Sequence, residues 1–282
     1  MNKKLKIFLT GSSSFLGSKF IEMYADEFDI FGIALHSKEN PLDILDKQKL
    51  KEAYLKFNPD VIVHLAAIVD NDASKVREPN IQGTKNIIEI AYIQNTPLVY
   101  LSSESVYGGR EQSGNYIEAD EYKPRSIYGE TKVQSEKLII SSGLNYLILR
   151  AHRFVGICRS FDNPKQFPDT IRAIVNNQTV HLDAVKLFKP CLINHINQII
   201  KYYIQNDLDN KIIINVGVDK AVTYYEFILD VVNVLGLNKN LVKSDGEEKG
   251  WPHNSTLCLD LLNKSDYPKI TYKNLLEVLK KD

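Results

Sequence analysis

The chain has 282 residues, enough to bury a substantial core without disulfides or metal. Lysine plus arginine and aspartate plus glutamate each number 35, so no basic excess draws nucleic acid or an anionic membrane. The three cysteines, Cys158, Cys191 and Cys258, form no C-x-x-C pair and read as reduced, mostly buried thiols; with no apolar stretch near the ~20 residues of a membrane span or long enough for a signal sequence, a soluble cytoplasmic protein is expected.

The expected elements begin with a short apolar strand over 5–10, which runs into Gly11-Ser12-Ser13-Ser14. A helix follows, with Phe15, Leu16, Phe20, Ile21 and Tyr24 on one face. A strand is expected over 29–35, a helix over 46–57 closed by Asn58-Pro59, and a strand over 60–65 that is nearly continuous in branched apolar residues. Such a run suits a strand buried on both faces. The alternation continues with a helix near 81–94, a strand over 98–102, a helix near 127–142 and a strand over 146–150. Repeated β-α-β-α predicts a parallel sheet covered by helices on both sides.

Beyond Arg150 the rhythm changes. The expected elements are a loop over 153–168, a helix near 169–177, a short strand around 180–182, a helix near 194–205 and a strand over 212–216. Thr223 is placed to cap a helix over 224–235, with Glu226 completing a capping box and Gly236 at its end. The expected fold class is α/β, a Rossmann-type doubly wound parallel sheet with a smaller C-terminal substrate-binding lobe. A dinucleotide-binding domain would occupy 1–155, joined by 185–218, and the lobe 156–184 and 219–282.

The stretch Gly11 to Gly17 lies between the first strand and first helix, where a dinucleotide's pyrophosphate is bound. Gly11 permits the tight turn, the helix start (Ser13, Ser14, Phe15, Leu16) offers N–H groups, and Gly17 permits close packing on the sheet. Ser14 stands where the fingerprint has its middle glycine. If that position needs positive φ, the substitution costs roughly 1–2 kcal/mol; its hydroxyl is alternatively a phosphate ligand. After the second strand, His36, Ser37 and Lys38 offer polar and cationic groups and no carboxylate. This favours NADP, whose 2′-phosphate needs such partners, with NAD as the alternative.

Tyr128 and Lys132 are four apart on an expected helix, so both face the same way. A nearby ammonium stabilises a phenolate and is expected to lower the tyrosine's pKa toward a useful range. Ser103, at the end of the preceding strand, adds a hydroxyl for a substrate carbonyl. These residues sit in the runs Leu101-Ser102-Ser103-Glu104-Ser105-Val106-Tyr107-Gly108 and Pro124-Arg125-Ser126-Ile127-Tyr128-Gly129-Glu130-Thr131-Lys132, with Glu136. Together they resemble the extended short-chain dehydrogenase/reductases, and most of all the dTDP-4-dehydrorhamnose reductase family. His64-Leu65-Ala66-Ala67, Asn80, Gly83-Thr84, Asn86 and Leu42-Asp43-Ile44 match as well. The resemblance covers about the first 155 residues, with weaker echoes at Lys189-Pro190 and Asn254-Ser255.

The resemblance implies that Tyr128 donates a proton to the carbonyl oxygen, Lys132 tunes Tyr128 and holds the nicotinamide ribose, and Ser103 bonds the substrate. It further implies that Asp43, Ile44, Leu65, Ala66 and Ala67 line the cofactor's path, and that Glu104, Ser105, Val106 and Arg153 face the sugar. The substrate half departs from the family's pattern: His152 and Arg153 follow the strand ending at Arg150, and His195 stands where an acid is common. The leading expectation is an NADP-dependent reductase of a nucleotide-activated 4-keto-6-deoxy sugar. An NAD-retaining sugar-nucleotide epimerase or dehydratase, and a non-catalytic NADP-binding regulatory subunit, remain open beside it. No metal site is expected, and helices 81–94 and 127–142 offer a possible homodimer seam. Trp251-Pro252-His253 reads as a surface turn or a loop closing on substrate.

Overall fold

The computed structural model describes residues 3–70, 72–108, 114–158, 166–245 and 254–281; the Trp251-Pro252-His253 turn lies outside them. In chain order the first elements are β1 (Lys6–Thr10), α1 (Phe15–Tyr24), β2 (Asp29–Ile33), α2 (Lys47–Phe57), β3 (Val61–His64), α3 (Ala73–Arg77), α4 (Gly83–Ala91), β4 (Leu98–Ser103), α5 (Ile127–Ser141) and β5 (Tyr146–Ala151). They are followed by β6 (Phe154–Val155), α6 (Gln166–Val175), β7 (Val180–Asp183), β8 (Cys191–Leu192), α7 (Ile193–Asn206), β9 (Lys211–Val216), α8 (Tyr224–Val234), β10 (Val242–Asp245), α9 (Asp260–Lys264) and α10 (Tyr272–Lys281).

Six of these strands form one parallel sheet in the order β2-β1-β3-β4-β5-β9. Alternate residues of each central strand feed opposite cores. Ile7, Leu9, Val61, Val63, Leu147 and Leu149 pack with α1 and α7. Phe8, Ile62 and Ile148 pack with α2, α4 and α5. Each fully buried valine or isoleucine of β3 contributes about 1.5–3 kcal/mol relative to exposure, so a polar residue at any of them would open the sheet. The chain passes from β1 outward to β2 and then returns to β3 on the other side. That reversal leaves a crevice at the carboxyl ends of β1 and β3, where doubly wound sheets take their ligands. A separate core joins α6, α8 and α10 with β7 and β10 through Phe167, Leu182, Phe227, Val231 and Leu275.

Local chemistry accounts for the helix ends. Ser14, Asp46, Ser126 and Thr223 each accept a backbone N–H of their own helix, and Thr223 with Glu226 forms the full capping box. Two elements differ from expectation. Helical structure expected from residue 81 begins at Ala73, capped by Asp72, and passes through a π turn, Glu78–Gln82, into α4. Pro79 lacks the N–H that an unbroken α-helix needs, and the wider π turn accommodates it. The strand expected to reach residue 35 stops at Ile33, beyond which Ala34 makes a single parallel bridge to Pro41.

Candidate active site

The β1–β3 crevice is a cavity of about 490 Å³, lined among others by Gly11, Ser13, Ser14, His36, Asp43, Ile44, Leu65, Ala66 and Ala67. Gly11 has φ +71°, and a Cβ there would lie 2.7 Å from the Ala66 nitrogen. Only glycine lets these two strand ends approach so closely. A Cβ on Gly17 would likewise collide with the Gly11 carbonyl. Ser14 is not strained: its φ is −75°, and its hydroxyl caps α1 by accepting the Gly17 N–H at 3.0 Å. The position does not need positive φ, so the penalty a serine would carry there in place of glycine does not arise. Phe15 and Leu16 are buried in the core and do not border the cavity. Ser37 and Lys38 also lie outside the lining; Ser37 holds a turn by accepting the Glu39 and Asn40 N–H groups, and Lys38 is exposed.

The floor of the crevice is pinned by a buried polar chain. Ala66 N–H donates to Thr10 Oγ1, which bonds His64 Nδ1 at 2.7 Å; His64 Nε2 bonds Thr84 Oγ1, which donates to the Asn80 carbonyl. Burial first, and then Lys132, pull His64 down to about 3, so it is a neutral structural linker. Asn80 also exchanges hydrogen bonds with both backbone groups of Ile68, fixing the segment that carries Leu65, Ala66 and Ala67.

At the adjoining strand end, Ser126 caps α5 and so sets the turn that presents Tyr128 and Lys132 on one face. Lys132 is almost fully buried, donates to the Leu101 carbonyl at 2.7 Å, and lies over the rings of Tyr100 and Tyr128 at 4.6 and 5.5 Å. Burial pulls its ammonium down to about 7, against the raising influence of Glu136. The Tyr128 phenol is held above its ordinary value, first by burial and then by Glu104. This is opposite to the expected lowering, because burial of the phenol and the neighbouring Glu104 carboxylate both disfavour the phenolate. Ser103 donates to Glu104 Oε2 at 2.6 Å and accepts from Ser105 Oγ at 2.9 Å. Val106, expected to face a substrate, is instead fully buried in a small core with Tyr107 and Val133. Arg153 lies 4.2 Å over the Tyr224 ring, and His195 is buried against the Pro268 carbonyl at 2.8 Å.

Behind the tyrosine and lysine lies a feature that the spacing of apolar residues does not reveal. Arg150 on β5 and Glu136 on α5 form a buried ion pair at 2.6 Å. Arg150 also donates to the Tyr107 and Tyr122 hydroxyls and to the Glu118 carbonyl, while Glu136 accepts from Ser102 and Tyr122. The pair ties the end of β4, the loop over 116–122 and α5 into one rigid unit. Among the described residues no helix is long and apolar enough to cross a membrane, and no cluster of His, Cys, Asp or Glu is suited to a metal ion.

A doubly wound parallel sheet with a glycine turn at its switch point defines a Rossmann-type fold. A dTDP-4-dehydrorhamnose reductase from Bacillus anthracis, in complex with NADP, superposes with a TM-score of 0.86 over 99% of this chain and 98% of that one, at 21% identity. The chain belongs to the RmlD substrate binding domain family, whose model matches residues 5–265. In sequence it is 27% identical over 150 residues to the dTDP-4-dehydrorhamnose reductase of Aggregatibacter actinomycetemcomitans, covering 51% of this chain and 50% of that protein. It is also 27% identical over 154 residues to the methionine adenosyltransferase 2 subunit beta of Bos taurus, covering 51% and 46%. These alignments span about half the length of those relatives.

Proposed function

We propose that this chain reduces a nucleotide-activated 4-keto-6-deoxy sugar, with NADPH as the preferred cofactor. The observation that supports the reading is that Tyr128 and Lys132 share one face of α5, with Lys132 5.5 Å over the Tyr128 ring and bonded to the Leu101 carbonyl of β4, while α5 packs on the turn over 104–106 that follows Ser103. The crevice itself fits a dinucleotide: Gly11 leaves a cradle that a Cβ would fill, and α1 starts directly above it. Gly11, Ser13, Ser14, Leu65, Ala66 and Ala67 would hold the cofactor, with Asp43 and Ile44 toward its adenine end. When bound, the nicotinamide supplies a hydride.

The proton comes from the chain. A phenol whose pKa is raised keeps its proton at neutral pH, and the protonated form is the one a carbonyl reduction consumes, so Tyr128 is poised as the donor. Lys132, buried beneath it, meets the charge left behind when that proton departs. Ser103 and Ser105 orient the substrate oxygen, and Glu104 and Arg153 border the sugar side. NADP is favoured because the cavity wall after β2 is Ala34, Leu35 and His36, with no carboxylate at the strand tip to bond a ribose 2′-hydroxyl.

The relationship to methionine adenosyltransferase 2 subunit beta supports a second reading, in which the chain binds a dinucleotide as a non-catalytic subunit. One assay separates them: oxidation of NADPH and NADH by the purified protein against a panel of nucleotide-linked 4-keto-6-deoxy sugars. Turnover that falls at least about 100-fold in Tyr128→Phe is expected. Cofactor binding with no turnover on any such sugar would favour the subunit.

A further inference from the structure

A lysine that must answer a charge forming on Tyr128 has to be ionised and correctly aimed at that moment, and a flexible four-carbon stem guarantees neither. Lys132 is buried and donates to one neutral acceptor, the Leu101 carbonyl at 2.7 Å. It makes no ion pair among the described residues: Glu136, one turn further along α5, is bonded to Arg150 at 2.6 Å. A buried ammonium with so little compensation is costly. What faces it instead is the ring of Tyr100, with Nζ 4.6 Å from the centroid, and the ring of Tyr128 at 5.5 Å. Strand β4 alternates, so Leu98, Tyr100 and Ser102 share the sheet face that α5 covers; the first two join the core under α2, α4 and α5, and Ser102 bonds Glu136. The Tyr100 ring is held on several sides. Its hydroxyl reaches Ser135 of α5 and Thr84 of α4, and the ring packs on His64 with centroids 5.6 Å apart. Burial pushes the Tyr100 phenol far above its ordinary value, so it stays neutral and cannot meet the lysine as a phenolate. Its attraction for the ammonium is that of the negative face of the ring.

Resting on the reductase reading, we propose that Tyr100 is a positioning residue for the reaction: its ring face holds the Lys132 ammonium charged and beside Tyr128, where it answers the phenolate formed when the proton leaves. The titratable groups that face Lys132 come from three elements, His64 from β3, Tyr100 from β4, and Tyr128 and Glu136 from α5. His64 is kept neutral by burial and by Lys132 itself, so it adds no competing cation. Tyr128 is neutral until it reacts, and the Glu104 carboxylate acts on that phenol. Glu136 favours the charged lysine through space while its oxygens are committed to Arg150, Ser102 and Tyr122. Burial opposes all of this and brings the ammonium down to about 7, so charged and neutral forms stand near balance at neutral pH. A ring contact of ordinary strength is then enough to decide which form prevails. Tyr100 acts through Lys132, and its hydroxyl serves only to fix the ring.

The test is the titration of Lys132 in the cofactor-free protein, followed by NMR of isotope-labelled lysine, with its signal identified by loss in Lys132→Met. Tyr100→Phe keeps the ring and removes the hydroxyl. Tyr100→trifluorophenylalanine keeps the ring's shape and drains its negative face. The Lys132 midpoint is expected to lie at least about 0.5 lower in pH with the fluorinated ring than with Phe, and Tyr100→Leu should lower it as far. A purely structural role would alter the stability of these variants without producing that order. Equal midpoints in the Phe and trifluorophenylalanine variants overturn the proposal, and so does a Tyr100→Leu midpoint at or above that of wild type. NADPH oxidation with nucleotide-linked 4-keto-6-deoxy sugars separates the two readings. The charged lysine is lost as pH rises, so the alkaline limb of kcat/KM should move down in the same order as the midpoints. Reduction with unmoved midpoints sinks only the role of Tyr100, and ordered midpoints without reduction of any sugar sink only the reductase.

Discussion

Replacing Arg150 with methionine isolates the buried network behind the candidate triad. The substitution keeps most of the apolar stem and removes a guanidinium that holds Glu136 at 2.6 Å, the Tyr107 hydroxyl at 2.6 Å, the Tyr122 hydroxyl at 3.0 Å and the Glu118 carbonyl at 2.8 Å. Glu136 is left fully buried with only the Ser102 and Tyr122 hydroxyls to solvate its charge. An uncompensated buried charge of this kind costs about 3–5 kcal/mol, a large share of the 5–15 kcal/mol typical of a folded domain. Urea unfolding at pH 7.5 measures the deficit. The double variant Arg150→Met with Glu136→Met should recover at least half of the loss, since a packed apolar pair is often as stable as a buried ion pair. A deficit below about 1 kcal/mol, the size of an exposed ion pair, would refute the reasoning.

Two further outcomes follow from the same physics. Lys132 titrates near 7 in the folded chain and near 10.5 unfolded, so the folded state binds fewer protons between those values and wild-type stability rises with pH across that window. Lys132→Met removes the effect, and the stability difference should move in favour of wild type by on the order of 4 kcal/mol between pH 7 and pH 10; parallel pH curves would contradict the burial argument. Because Ser14 acts as a helix cap at ordinary φ, Ser14→Ala should cost about 1 kcal/mol and Ser14→Gly only a few tenths, read as shifts in Tm. A stabilising Ser14→Gly would mean that the position is strained after all.

The sheet was legible because its strands are short branched-apolar runs, and because a strand buried on both faces has no polar alternative. The region over 73–82 was not, since a proline inside a helical pattern ordinarily marks an end and only the wider π turn lets the chain continue. The two-residue strands β6 and β8 are too short for any periodicity. Helix α5 hides its buried face for a different reason. Thr131, Lys132, Ser135 and Glu136 are all buried, so the helix's inner side is polar and its apolar pattern weak. Glu136 enters the sequence reading only as part of the run that resembles the family, and its partner, Arg150, lies 14 residues away at what reads as the end of a strand.

The same distinction governs the candidate site. Gly11, Tyr128 and Lys132 are readable because each is demanded by local geometry: a turn with positive φ, or two side chains one helical turn apart. Glu104 and His152 are each singled out in the sequence, one an acid after a serine, the other a departure from a family pattern, but nothing there pairs them. Their relationship exists only because β4 and β5 are paired in register, so that Ser103 lies opposite Ala151 and the residue after each strand end meets the other across the cleft. Chemistry that depends on strand pairing is invisible to spacing along the chain.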